Sequence, residues 1–395
     1  MSRKWLVVMA GFAFLSGGCS DSGAGTKKPS VNAEFRGDAY NSGVFDTVGL
    51  PVLAGEKWKV TLNNATLHSS PVMADNTIYI GSEEGSFYAI NADNGGIVWQ
   101  TNTGGRIRST AAVYGEELYY LDDTSTLYAL SRASGEQLWS VKLNDVFVGT
   151  SLIDQWDYYI ASPAVTEDTI YIGSEGIYFY ALNRADGTER WSVKTGSPVH
   201  GKAVLADGLV YVADRLGVVY ALDQATGEEQ WRNEDAGVVQ SSLAYRDQTL
   251  YFGSRDTKVH AIDAATGKQL WEHVSPGGSW VGSSAAVSES FVAIGASDSK
   301  VVHVFDRASG EHLRDLELGS RVFASVVIVG DIVYFGSAYT DDPEARIDGF
   351  HAVELATGRE LWRFEGTRAP ILSSPLIKDG IAYVAGMDGT IYALQ

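Results

Sequence analysis

Seven tryptophans recur at almost fixed intervals: Trp58, Trp99, Trp139, Trp191, Trp231, Trp271 and Trp362, spaced by 41, 40, 52, 40, 40 and 91 residues. The last gap divides into 43 and 48 around the degenerate repeat GEHLRDL, in which Arg314 takes the Trp slot. A period near 40 marks a repeat architecture, in which each unit buries its apolar face only against its neighbours. Length alone, 395 residues, suggests two or three domains at roughly 150 residues each. The period replaces them with one array.

Each unit reads as short β-branched or alternating runs punctuated by Gly, Asn and Asp. The first runs SSPVMAD, NTIYIGS, SFYAINA, the turn DNGG, then IVWQTN. These are strand and turn signals. Four such strands make one propeller blade. The registration holds throughout. Pro71 to Gly81, Ala203 to Ala213 and Leu243 to Gly253 are each 10 residues apart, as are Ala89 to Trp99, Ala221 to Trp231, Val304 to Arg314 and Ala352 to Trp362. The first three strands occur eight times and the fourth only seven times in order. The chain ends on IYALQ, a third strand, and the missing fourth strand lies at the other end, at Lys57-Trp58-Lys59-Val60. The expectation is an all-β, eight-bladed β-propeller of four-stranded blades over 57–395, its ring closed by the N-terminal strand and without an open edge.

The third strand, turn and Trp resemble the quinoprotein-type, or PQQ-like, β-propeller repeat family, with its pattern A-x-D-x-x-T-G-x-x-x-W. Ala221, Asp223, Thr226, Gly227 and Trp231 match it fully, as do Ala261, Asp263, Thr266, Gly267 and Trp271. The segment 35–56, from Phe35-Arg36-Gly37-Asp38 through Ser42-Gly43-Val44-Phe45, resembles the lead-in of such propellers in secreted repeat proteins.

Residues 1–18 read as a secretory signal: Arg3 and Lys4, then an apolar run from Trp5 to Leu15, 11 residues and too short to span a bilayer. Ser16, Gly17, Gly18 and Cys19 resemble a bacterial lipoprotein signal, although Leu15 lies four residues before the Cys rather than three. The resemblance implies lipidation of Cys19, and Ser20 after it implies the outer membrane, facing the periplasm. Residues 19–34 lack periodicity and read as a flexible tether. The chain carries 30 Lys and Arg against 49 Asp and Glu, a net −19; without the signal it is −21. That balance argues against a nucleic-acid partner, which requires cations to displace phosphate counterions. A single Cys excludes an internal disulfide and a Cys-rich zinc module.

Much of the tempting chemistry is turn chemistry. Asp223 and Asp263 sit where an Asx side chain caps backbone amides, and Gly227 and Gly267 supply the positive φ of the hairpin. One third-strand column reads Tyr88, Tyr128, Tyr180, Tyr220, His260, His303, His351, Tyr392, so three histidines replace a structural Tyr. His68 and His200 share another column three blades apart, too far for one ion. No catalytic residue, metal site or cofactor is expected.

Two insertions break the period. One lies in LNDVFVGTSLIDQWDYYI, between blades two and three, with Phe147, Trp156, Tyr158 and Tyr159. The other is AYTDDPEARIDG, with Asp341, Asp342 and Arg346. One joins a fourth to a first strand and the other a second to a third, connections that emerge on one face of an up-and-down blade. Loops on a rigid scaffold carry function more often than core positions do, and aromatics supply binding hot spots. Together with Trp280 they form a candidate binding rim. The residues entering the first strands would line the channel mouth beside it: His68, Arg108, Ile160, His200, Gln240, Gly282, Phe323 and Leu372, with Arg106, Lys202 and Arg321 nearby. Such a mouth would suit an anionic or amphipathic partner.

Signal, lipid Cys, tether and eight blades together resemble the propeller lipoproteins of outer-membrane β-barrel assembly. The resemblance implies a non-catalytic, monomeric scaffold that binds envelope proteins and meets the membrane only through its lipid. Where such proteins carry Arg-Gly-x-Ser-Ala-Pro, blade four reads Pro198-Val199-His200-Gly201-Lys202-Ala203. Two alternatives stand beside it: a PQQ-dependent dehydrogenase, disfavoured because vicinal cysteines are impossible with one Cys, and a glycan or ligand sensor using Trp156, Tyr158, Tyr159 and Trp280.

Overall fold

The computed structural model describes residues 32–143, 160–317, 319–340, 349–367 and 369–395. The expected ring is present. Each repeat forms a four-stranded antiparallel sheet whose strands pair in chain order. Blade one, for example, is Val72–Ala74, Thr77–Gly81, Ser86–Asn91 and Ile97–Asn102. Its second and third strands are almost wholly buried and its fourth faces solvent on alternate residues. Blade eight takes Leu376–Lys378, Ile381–Ala385 and Thr390–Leu394 from the C-terminal end and its outer strand, Glu56–Thr61, from the N-terminal part. Trp58 lies opposite Ala393 across that seam, in the register that every other Trp has with its own third strand.

The core sits between blades, not within them. Leu62, Ile78, Ile80 and Ile90 pack with Tyr383 and Ile391, joining blade one to blade eight, and comparable apolar clusters fill the other seams around the ring. A two-layer sheet-on-sheet contact is how a twisted blade hides its faces. The tryptophans fasten these seams. Trp58, Trp99, Trp191 and Trp231 each donate the indole N–H to a carbonyl in the next blade's hairpin, at Ala92, Arg132, Gln224 and Ala264. The rings of Trp191 and Trp231 lie against Gly227 and Gly267, where φ is +74° and +70° and a Cβ would come within 2.7 Å of the indole. The turn chemistry is also as expected. Asp223 Oδ1 accepts from the N–H of Ala225 and Thr226 and from the Thr226 hydroxyl.

A ring of hydroxyls ties the inner strands together. The N–H of Ser70 donates to Thr110 Oγ1, that of Thr110 to Ser162, that of Lys202 to Ser242, that of Ser242 to Ser284, that of Ser284 to Ser325, and that of Ser374 to Ser70. Each donor is one blade behind its acceptor.

The lead-in threads this ring from the other end. Asn32–Ala33 pairs with Ala112–Tyr114 of blade two. The carbonyls of Ala39, Tyr40, Ser42 and Gly43 then accept from Leu205, Tyr245, Val287 and Ile328, the first strands of blades four to seven in order. Two buried cations lock it. Arg36, at φ +65°, donates to the carbonyls of Asn41, Val326 and Ala285. Burial pushes its guanidinium down to about 9, against the opposing pull of Asp38. Lys202 donates to the Asp38 carbonyl and to Asn41 Oδ1, both at 2.8 Å, and pairs with Glu34 at 3.1 Å.

Candidate binding rim at the channel mouth

The mouth is built by two loops of each blade acting together. The connection that enters the first strand supplies His68, Arg108, Ile160, His200, Gln240, Phe323 and Leu372. The turn between second and third strands meets it through one recurring backbone bond. Glu83, Asp123, Arg215, Arg255, Ser297 and Met387 donate their N–H to the carbonyls of Thr66, Arg106, Pro198, Val238, Trp280 and Pro370, each 17 residues earlier. The two connection types therefore do emerge on one face. In blade seven they pair as a small sheet, Ser320–Arg321 with Ala338–Thr340.

That second column was the missed half of the rim, although it is legible two positions after each second strand. It reads Glu83, Asp123, Glu175, Arg215, Arg255, Ser297 and then Ala338 and Met387: acids on blades one to three, arginines on four and five, uncharged side chains on six to eight. The acidic arc meets the basic members of the first column. Glu83 Oε1 accepts from Arg108 Nε at 2.7 Å and faces His68 Nδ1 at 2.5 Å. Burial alone would raise the Glu83 carboxyl, but His68 and Arg108 outweigh it and pull it down to about 2. His200 Nε2 lies 3.2 Å from Glu175 Oε1. On blade five, Arg255 Nε instead meets the neutral Gln240 Oε1 at 2.7 Å, and its guanidinium lies 4.3 Å above the Trp280 ring. That cation–π geometry presents a flat, partly exposed face. Across the mouth, Arg321 donates to the Tyr339 carbonyl, Phe323 packs edge-on against the Tyr339 ring, and the Tyr339 hydroxyl reaches Met387 Sδ.

Lys202 lines the well one layer beneath the rim. Its fully buried ammonium reaches down to the lead-in, which offers it two oxygens and a carboxylate. The physical reason is that Lys202 occupies the hydroxyl position of the inner ring. Cys19, Phe147, Trp156, Tyr158, Tyr159, Asp341, Asp342 and Arg346 lie outside the described residues.

Under the rim, Phe35 rises from the lead-in to floor a well walled by His68, Arg108, Ile160, His200, Gln240 and Leu372. It encloses about 40 Å³. Small-molecule and cofactor pockets run to roughly 300–1,000 Å³, so the well accommodates ordered water but not a tricyclic quinone. The residues lining this well do not fit that group.

Repeat, ring and mouth define an eight-bladed propeller of the PQQ-like class. A family model described as "Outer membrane protein assembly factor BamB" matches residues 54–157, 155–338 and 297–395. The chain belongs to this family. A BamB from Shewanella oneidensis is 25% identical over 154 residues, 39% of this chain and 36% of that protein. The chain thus matches well under half the length of that relative. Among solved structures, BamB from Moraxella catarrhalis superposes with a TM-score of 0.56 at 16% identity, covering 87% of this chain and 100% of that one. Quinohemoprotein alcohol dehydrogenase from Comamonas testosteroni superposes with a TM-score of 0.75 at 14% identity, covering 91% and 80%. At such identities these likenesses speak for the fold alone.

Proposed function

We propose that this protein is a non-catalytic envelope scaffold, working in outer-membrane protein assembly as its BamB relatives' names describe, and that the mouth rim is where it holds a partner protein. The observation that carries the reading is the shape of the mouth within this family: a broad rim of paired loops over a well of about 40 Å³. Such a surface has area to offer a protein and no volume to offer a substrate. Trp280 under Arg255, and Phe323 on Tyr339, supply aromatic anchors of the kind that dominate protein interfaces. The sequence's other candidates for holding the partner are the insertion residues Phe147, Trp156, Tyr158, Tyr159, Asp341, Asp342 and Arg346. In this reading the chain is a monomeric ring, anchored through a lipid on Cys19 at the outer membrane and facing the periplasm.

The test is site-specific photo-crosslinking in cells, with the reactive residue at Trp280 or Phe323 and, as control, at Leu138 on the outer wall. The expected result is a discrete adduct with an envelope protein from the mouth positions only. Adducts that do not distinguish mouth from wall would refute the rim. Alcohol- or sugar-dependent dye reduction after addition of pyrroloquinoline quinone and Ca²⁺ would refute the non-catalytic reading.

A further inference from the structure

Four side chains converge on the outer seam between blades five and six, only one of them, His303, from the third-strand Tyr/His column. His273 lies on the outer strand Gln269–Val274 of blade five. His303 lies on the third strand Val301–Asp306 of blade six, and His312 and Asp315 on its outer strand His312–Glu317. Strand alternation explains the meeting. His273 follows Trp271 by two residues and so faces blade six as the Trp does. His303 lies directly opposite Asp315. His312 and Asp315 are three apart and should face opposite ways, but the bulge between Arg314 and His312 inserts one residue and turns both to one side.

The result is a tight trio of imidazoles, two of which also meet one carboxylate. The His273 and His312 rings stack at 4.4 Å, and His273 and His303 meet at 5.4 Å. His303 Nδ1 is 2.6 Å and His312 Nε2 2.8 Å from the same oxygen, Asp315 Oδ1. Ser275 Oγ meets His303 Nε2 at 2.9 Å and so orients its ring with Nδ1 inward. His273 Nε2 is buried with no hydrogen-bond partner. A ligating atom of each histidine lies within 4.8 Å of the others.

We propose that His273, His303, His312 and Asp315 bind a divalent ion of the zinc class and thereby staple blade five to blade six. Three imidazoles and one carboxylate are a four-coordinate donor set of borderline softness, suited to Zn²⁺ rather than to Ca²⁺ or Mg²⁺. Bonds of about 2.0–2.1 Å place tetrahedral ligand atoms roughly 3.3 Å apart. The ligand atoms of the three histidines, within 4.8 Å of one another, would have to draw in to that spacing as the ion binds. Such an ion would give the orphaned His273 nitrogen its partner. It would also relieve the crowding of two imidazoles on one carboxylate oxygen. Ser275 would hold the ring of one ligand from behind, as outer-shell partners of metal-bound histidines do.

The test is titration of the untagged, chelator-treated protein with Co²⁺ and then Zn²⁺. The expected result is one ion per chain, intense visible bands of tetrahedral cobalt that zinc displaces, and a higher melting temperature with zinc, because the ion binds only the folded chain. His273→Ala and His312→Ala sit at partly exposed positions. Each should melt as the parent does without metal, lose affinity by more than about tenfold, and lose the zinc-dependent rise in melting temperature. No saturable uptake below roughly millimolar ion, a Ca²⁺ response equal to that of Zn²⁺, or unchanged binding in both variants would overturn the site.

Discussion

The two ends of the channel are finished by opposite means. At the mouth, every blade contributes side chains, and in the second column their identities change around the ring from acid to arginine to uncharged. At the far end, one non-repeating strand segment contributes backbone, and the blades answer with the same first-strand amides in turn. The lead-in end, sealed along blades four to seven, is specified by hydrogen-bond geometry. The open end is specified by composition, which can vary without disturbing the sheets beneath it. That is the division expected of a scaffold whose stability and specificity are set in different places.

Substitutions should separate the two ends by stability. Arg36→Ala removes donors from three buried carbonyls at the sealed end and should cost about 3–4 kcal/mol, measured by denaturant unfolding. A blade staple far from both ends calibrates the scale. Trp231→Ala loses an indole packed on Gly267 and its bond to Ala264, and should cost about 3 kcal/mol.

The Glu83 carboxyl lies below its ordinary 4.5, so its stabilising contribution is complete above that pH and is lost as pH falls toward about 2. Glu83→Gln should therefore lower stability at neutral pH by about 1–2 kcal/mol, since the exposed share of the pair is screened. It should also flatten the acid limb of an unfolding-versus-pH curve between those two values. An unaltered acid limb would mean that the His68–Glu83–Arg108 cluster is poised for a ligand rather than for the fold.

Ser284→Ala removes the hydroxyl that accepts from the Ser242 N–H and should cost about 1 kcal/mol. Trp280→Ala and Phe323→Ala should shift stability least, each by about 0.5 kcal/mol or less, while reducing partner adducts from the neighbouring rim. A large loss of stability from either would make the mouth a structural element like the sealed end.

The fold was legible because its rules repeat. Trp231, Gly267 and Asp223 recur at fixed offsets, so any one blade explains the rest, and even Arg314 could be placed in a slot it does not chemically fit. The hydroxyl ring was equally written in a column, Ser70, Thr110, Ser162, Ser242, Ser284, Ser325 and Ser374. It stayed hidden because Ser at a strand entry reads as ordinary turn chemistry. Half the rim was found from residues entering the first strands. The other half, Glu83 to Arg255, lay on turns whose approach depends on a backbone bond that no side-chain pattern records. The lead-in has no repeat to compare with, so neither Arg36 nor the lead-in oxygens that bury Lys202 could be read from a column. The histidine trio was invisible for the opposite reason. Columns compare like positions on different blades, whereas His273, His303 and His312 occupy three unlike positions on two blades and meet only once a bulge re-aims one of them.

The order in which the lead-in engages the ring has a mechanical consequence. Traction on the chain ahead of Asn32 falls first on the strand pair with blade two. It then falls on the amides of Leu205, Tyr245, Val287 and Ile328, with Arg36 and Lys202 pinned between them. Only after these have yielded does it reach Glu56–Thr61, the strand that clasps blade eight. The lead-in is thus a strain relief, like the knot that keeps a pulled cord from its plug: a pull on the chain ahead of Asn32 spends its force on the lead-in and leaves the clasp of the ring slack.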